Sequence, residues 1–112
     1  MSTKTPECWA SDPNAEALRI EVTPGRSVLL PHDQFMFAEL TDDGDGQNLK
    51  LVFAAHEVLI HGRHLRRIET VMQRMELSLL TTLPGSQRNL ISAGQPVVLE
   101  ITVKEAKQNG VG

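Results

Sequence analysis

The chain has 112 residues, which is enough for one modest hydrophobic core and too few for two. Its content of 40% hydrophobic and 22% charged residues is typical of a folded globular domain. The formal net charge of -3 at pH 7 argues against a protein whose main role is to coat nucleic acid or an anionic membrane.

The charge is unevenly distributed along the chain. Residues 1–60 contain four Lys and Arg against ten Asp and Glu, a balance of -6. Residues 61–112 contain seven Lys and Arg against four Asp and Glu, a balance of +3. Much of the basic charge of the second half lies in one short segment, which is where an anionic partner would bind.

Cysteine content and hydropathy indicate a cytoplasmic protein. Cys8 is the only cysteine, so the chain cannot form an internal disulfide. No apolar stretch approaches the roughly 20 residues that cross a bilayer, and the N-terminus lacks the apolar run of a secretory signal. We therefore expect a cytoplasmic location and no membrane partner.

Residues 1–15 are predicted to form a flexible N-terminal arm. They are rich in Ser, Thr, Pro, Asp and Asn and show no hydrophobic periodicity. Residues 16–106 are predicted to form a single globular domain, and residues 107–112 a frayed tail. A flexible arm cannot hold a base beside Cys8, so we assign that thiol no catalytic role.

Alternating or continuous apolar runs, separated by turn residues, predict a series of strands. In chain order they are LRIEV at 18–22, SVLLP at 27–31, FMFAEL at 35–40, LKLVFA at 49–54, HEVLI at 56–60, ELSLLTTL at 76–83 and VVLEITVKE at 97–105. The three phenylalanines, Phe35, Phe37 and Phe53, are assigned to the core.

An amphipathic helix is predicted at about residues 63–75, after a break at Gly62. Four apolar residues recur there at helical spacing and form one stripe: Leu65, Ile68, Met72 and Met75. Consecutive strands with short turns favour an antiparallel sheet, and the helix must bury its stripe against it. The predicted fold is α+β, mainly β, with the sheet curved into a roll or open barrel.

Residues 49–61 permit a second interpretation. Their apolar residues also fit helical spacing, and neither Gly nor Pro interrupts them. A helical hairpin around Gly62 is therefore the alternative to a pair of strands followed by a helix.

The segment HEVLIHGRH, residues 56–64, contains three of the four histidines and suggests a metal site or a catalytic centre. Zinc proteases place two histidines four residues apart on one face of a helix, whereas His56 and His61 are five apart. That spacing separates them in a helix and puts them on opposite faces of a strand. His61 and His64 flank Gly62 and form a two-residue metal candidate, which is too few ligands for a structural site. We predict no metal, no cofactor and no catalytic residue.

The arginines of the predicted helix form a candidate anion-binding site. Arg63 and Arg67 are four residues apart, Arg74 returns to nearly the same face, and Arg66 adds charge beside them. The first N–H groups of a helix also favour an anion. The other interpretation is the solvated face of an amphipathic helix. Nucleic acid is the less favoured anion, because the chain has no Tyr and few aromatic side chains on which bases could stack.

The 33 residues from Leu49 to Thr81 resemble a pattern found in small bacterial proteins of unknown function. The pattern is a strand, a short HEV.I.G..L strand-to-helix element, and another strand. The matching positions are His56, Glu57, Val58, Ile60, Gly62 and Leu65. The resemblance implies two strands, a helix and a strand in place of the helical hairpin, and it brings no activity, cofactor or substrate with it.

Three functional hypotheses follow. The leading one is a small non-enzymatic interaction or regulatory module that self-associates into a homo-oligomer or binds another protein, because apolar residues occur on both faces of the predicted strands. Leu51 with Val52 and Leu79 with Leu80 are examples, and either a second sheet or a second subunit must cover them. The second hypothesis is a module that contacts an anion or RNA through the four arginines. The third is a small enzyme that uses residues 56–64.

Overall fold

The structure, a computed structural model, describes residues 8–83 and 94–105. Within these ranges the strands are β1 (Trp9–Ser11), β2 (Ala17–Thr23), β3 (Arg26–Pro31), β4 (Phe35–Asp42), β5 (Gln47–Phe53), β6 (His56–Arg63), β7 (Leu77–Thr81) and β8 (Val97–Glu105). A 3-10 turn covers His32–Gln34, and the α-helix α1 covers Arg66–Gln73. The predicted tail at 107–112 lies outside the described residues.

The strands form two four-stranded sheets. Sheet A has the order β1-β7-β2-β3, in which β2 and β7 run parallel and the other neighbours antiparallel. Sheet B has the order β4-β5-β6-β8 and is antiparallel throughout. The predicted fold class, α+β and mainly β, is confirmed, and the two separate sheets with one helix are compatible with the predicted roll or open barrel.

The helical alternative for residues 49–61 is wrong, because β5 and β6 form an antiparallel pair in this region. Leu49 is opposite Ile60, and Leu51 is opposite Val58. All four of these side chains are buried on the same face of the sheet. Buried apolar residues recur at every second position of β5 and β6, which gives both strands one continuous apolar face. This alternation favours a pair of strands over a helix.

One hydrophobic core joins the two sheets and the helix. Leu18 and Ile20 of β2, together with Leu77 and Leu80 of β7, supply the part from sheet A. The buried side chains from sheet B and α1 are Leu49, Leu51, Phe53, Val58, Ile60, Val98, Ile101, Ile68 and Met72. Each sheet thus covers apolar side chains of the other, which supplies much of the cover that the apolar strand faces require.

The assignment of Phe37 to the core is wrong. Phe35 is opposite Phe53, but a bulge at Met36 shifts the register, so that Phe37 is opposite Val52 on the outer face of sheet B. The ring of Phe35 meets that of Phe53 edge to face at 5.4 Å, whereas Phe37 is 50% exposed. One inserted residue is enough to turn Phe37 out of the core.

The structure differs from the predicted flexible arm at residues 8–15. Trp9–Ser11 form β1, which pairs with β7 at the edge of sheet A. Cys8 is buried, with its Sγ 3.4 Å from the carbonyl oxygen of Pro96. Three residues are too few to show a periodicity, so the sequence pattern gives no sign of this strand. The first seven residues of the predicted arm lie outside the described part of the chain.

The helix is shorter than predicted because both of its ends are set by tight turns. His64 has a φ of 55° between β6 and α1, and Met75 has a φ of 59° after the helix. The N–H of Met75 donates to the carbonyl of Met72, and that of Glu76 donates to Val71. These are the two hydrogen bonds of a Schellman motif, with Met75 at the left-handed position that glycine usually occupies.

His32 is a buried polar link between the 3-10 turn and sheet A. Its Nε2 lies 2.8 Å from the carbonyl oxygen of Leu77, and its Nδ1 lies 3.2 Å from that of Ala15. Both partners are acceptors, so a neutral ring donates to one of them and a protonated ring to both. The fourth histidine is thus part of the folded interior.

Gly62 allows two strands to approach each other more closely than a side chain would permit. The pairing of β6 with β8 shifts between His61 and Gly62, which leaves a bulge at this point. A Cβ added to Gly62 would overlap the carbonyl oxygen of Val97. Because the overlapping atom belongs to the backbone of β8, no change of rotamer could relieve the clash.

We therefore expect Gly62→Ala to lower the free energy of unfolding by about 2 kcal/mol or more. Gly25→Ala is the matched control, because no heavy atom lies within 4 Å of a Cβ at that position. Its effect should stay within about 0.5 kcal/mol. Urea unfolding followed by circular dichroism measures both, and equal stability of the two variants would contradict the close-packing account.

Candidate functional site

The turn between β6 and α1 positions the basic end of the helix. Leu65 is fully buried and anchors the first turn in the core. Its N–H donates to Oε1 of Gln47 at 2.7 Å, so a side chain from the start of β5 caps a helix that has no capping side chain of its own. The beginning of α1 is thereby fastened to sheet B.

Three of the four predicted anion-binding arginines line one cavity. Arg66, Arg67 and Arg74 border a space of about 670 Å³ that opens on the surface. The other lining residues among those that the structure describes are Gln47, His64, Thr70, Val71 and Gly94. None of these described lining residues carries a carboxylate, and their formal charge is +3 before His64 is counted. We call this space the arginine cavity.

Arg63 lies apart from the other three arginines. It lines a neighbouring depression of about 430 Å³ together with Asp42 and Asp45 of the β4–β5 turn. His64 and Gln47 border both spaces. Two carboxylates therefore compete with any anion for Arg63, whereas the described residues that line the arginine cavity include no such competitor.

Trp9 holds one of the arginines in position. The guanidinium carbon of Arg67 lies 5.7 Å from the centre of the indole ring, within the range of a cation–π contact. Trp9 belongs to β1, so the N-terminal strand of sheet A reaches the helix at this point. A flexible arginine side chain is thus restricted on one side of the cavity.

Glu69 is the one acidic residue of α1 and does not line the arginine cavity. It follows Arg67 by two residues, which is about 200° around the helix. Glu69 therefore lies on a different face from Arg67, but it follows Arg66 by three residues and is its neighbour on the helix surface.

Three residues of the enzyme hypothesis lie on the two faces of β6, and the fourth, His64, follows the strand. His56 lies on the face that also carries the buried Val58 and Ile60, while Glu57 and His61 lie on the outer face. Glu57 and His61 are four positions apart, which is about 13 Å along the strand. The hypothesis needs two catalytic groups together in a cleft, and the spacing along β6 does not bring His56, Glu57 and His61 together.

Metal ligands do not cluster either. Over residues 8–83 and 94–105, no group of three His, Cys, Asp or Glu side chains could hold a metal ion. His61 lines a cavity of about 400 Å³ on the outer face of sheet B, and His64 lines the arginine cavity. The two-residue metal candidate thus has its members in different depressions.

A hydrogen-bonded chain fixes the ring of His61. Nδ1 of His61 lies 3.0 Å from Oδ1 of Asn48, and Nδ2 of Asn48 donates to Oδ2 of Asp43 at 2.8 Å. Because the amide NH2 faces the carboxylate, its oxygen faces the ring, so Nδ1 carries the proton and donates. The hydrogen bond from Asn48 is the main cause that holds the pKa of Asp43 below the ordinary aspartate value.

Sequence patterns grouped the arginines but gave no sign of the residues that contact this end of α1. Gln47 and Trp9 give no periodic signal, and their contacts with α1 join positions far apart in the chain.

Comparison with protein-family models, curated proteins and solved structures finds no match. Within the described ranges, no helix is long and apolar enough to span a membrane.

The Asp43–Asn48–His61 chain predicts a specific change in acid titration. In Asn48→Ala the pKa of Asp43 should rise toward its ordinary value, because the main hydrogen bond to the carboxylate is lost. A lowered pKa contributes stability above roughly pH 4 that is lost as the pH falls, so the variant should lose less stability on acidification.

Carboxyl-detected NMR titration of Asp43 checks this prediction. Asn14→Ala is the control, because Asn14 lies in a different turn, where its backbone N–H donates to Asp12. An unchanged pKa of Asp43 in Asn48→Ala would show that the hydrogen bond does not set it.

Proposed function

We propose that this protein is a non-enzymatic binding module that holds a small anion in the arginine cavity. The observation that carries the proposal is the convergence of Arg66, Arg67 and Arg74 on one cavity, where no described lining residue carries a carboxylate. Guanidinium groups present paired N–H donors that match phosphate and carboxylate oxygens. The volume lies within the range of about 300–1,000 Å³ that is usual for small-molecule sites.

A localised anion fits these observations better than RNA does. Phe53 is buried and Phe35 packs against it, so neither ring offers a face to a base. Phe37 is exposed but belongs to β4, and Trp9 is occupied by Arg67. A single-strand binder stacks successive bases on aromatic side chains along a basic groove, whereas Arg66, Arg67 and Arg74 meet in a localised depression.

Binding of inorganic diphosphate, followed by isothermal titration calorimetry in low salt, tests the proposal. We expect Arg66→Ala, Arg67→Ala and Arg74→Ala each to weaken binding roughly three- to tenfold, because each removes a charge-assisted donor at an exposed site. Affinity should also fall as salt rises, since the cavity is open to solvent.

Arg26→Ala is the matched control. It removes the same charge from an exposed position on β3, at the opposite edge of sheet A from β1. Its affinity should equal that of the wild type. Absence of diphosphate binding at low salt, or equal losses in Arg26→Ala and the cavity variants, would reject the arginine cavity as the site.

Self-association is a second candidate function, favoured by exposed apolar side chains on an edge strand. β4 is an outer strand of sheet B, and Met36 and Phe37 on it are 64% and 50% exposed. Edge strands with exposed apolar residues are frequent sites of pairing with another chain. Leu51 of sheet B and Leu80 of sheet A are both buried in the core. The exposed apolar side chains of β4 are therefore the stronger reason to expect a homo-oligomer.

Native mass spectrometry tests this candidate. We expect an assembly mass that is a multiple of 12.4 kDa, and a shift to monomer in Phe37→Glu. Leu29→Glu is the control, because Leu29 is 57% exposed on an edge strand of the other sheet. A monomeric wild-type protein, or equal dissociation of both variants, would rule out an interface at β4.

A further inference from the structure

The arginines that line the arginine cavity come from the two ends of α1. Arg67 lies in the first turn of α1 and Arg74 caps its C-terminal end, seven residues later. This is about 10.5 Å along the helix axis. Seven residues bring the chain back to nearly the same face, which is why both side chains reach one cavity.

The start of α1 and the turn before it contribute more donors to the cavity than the end of α1 does. Arg66, Arg67 and His64 lie there, and Gln47 lines the cavity beside them, with its Oε1 accepting the N–H of Leu65. Trp9 restricts Arg67 before any ligand binds. Donors that are already oriented lose less conformational entropy on binding.

The middle turn of α1 contributes few donors to the cavity. The hydroxyl of Thr70 donates its hydrogen to the carbonyl oxygen of Arg66 at 3.0 Å. Val71, the other lining residue of the same helical turn, has an apolar side chain. A ligand that uses the whole cavity therefore needs anionic groups toward both ends and a linker between them.

We infer that the ligand is a linear polyphosphate group, bound by its first phosphoryl at Arg66 and Arg67 and by a later phosphoryl at Arg74. The inference rests on the proposed anion-binding function and specifies the ligand class. Phosphoryl groups joined through anhydride oxygens provide several bidentate acceptors along one chain. Inorganic polyphosphate and the polyphosphate of a nucleotide share this chemistry.

The test compares phosphate, diphosphate, triphosphate and a nucleoside triphosphate at constant low ionic strength. Trp9 is the sole tryptophan and contacts Arg67, so its fluorescence reports occupancy, with calorimetry as a second readout. We expect triphosphate to bind at least tenfold more tightly than phosphate. Citrate, with three carboxylates in a compact arrangement, should bind no more tightly than phosphate.

Single variants separate the two ends of the cavity. Arg74→Ala should remove most of the preference for triphosphate and leave phosphate affinity within twofold of the wild type. Arg66→Ala should weaken phosphate and triphosphate alike. Arg74 is exposed at the helix end, and a circular dichroism spectrum equal to that of the wild type would show that Arg74→Ala is folded.

The binding results distinguish the polyphosphate inference from the proposed anion-binding function. Equal affinity for phosphate and triphosphate, or a loss of phosphate binding in Arg74→Ala, would overturn the polyphosphate inference and leave the anion site intact. Citrate binding as tight as triphosphate would overturn it too, since charge alone would then explain affinity. Failure of every anion to bind would reject the proposed function as well. Tighter binding of the nucleoside triphosphate than of triphosphate would identify a nucleotide as the source.

Discussion

The close approach of Gly62 to the Val97 carbonyl is the constraint on which the candidate site depends. It allows β6 to stay paired with β8 through a bulge, up to the point where the chain leaves sheet B. The left-handed turn at His64 follows at once and directs the chain into α1. A side chain at position 62 would separate the two strands and move the start of the helix.

Burial on one face of α1 determines which side chains remain on the other. Leu65, Ile68 and Met72 are fully buried, so the helix cannot rotate without exposing them. The arginines must then face outward, away from the core. Their convergence on one cavity is a consequence of this rotation, of the capping by Gln47 and of the contact between Trp9 and Arg67. The site therefore draws on both sheets as well as the helix.

Local patterns were sufficient to predict most of the sheet and the position of the helix. Strands such as β5 and β6 alternate between buried and more exposed residues, which a period of two reveals. Three of the four arginines that helical spacing grouped together line one cavity. Arg63 does not, because it belongs to the end of β6, where helical spacing no longer applies.

The remaining features depend on pairings between distant parts of the chain. The strand β1 is recognisable only from its pairing with β7, and Phe37 faces outward only because of a one-residue bulge. Neither has a signal in local composition. The same is true of Gln47, whose role as a helix cap comes from its register on β5.

Mapping of anion contacts by two-dimensional ¹H–¹⁵N NMR tests the central claim most directly. During titration with triphosphate, we predict that backbone and arginine side-chain shifts change around residues 64–74, at Gln47 and at Gly94, which border the arginine cavity. The outer face of sheet B around Lys50 should stay unchanged. Shifts centred on Lys50 or spread evenly over all basic residues would contradict the account, because the anion would then be attracted by charge without a defined site.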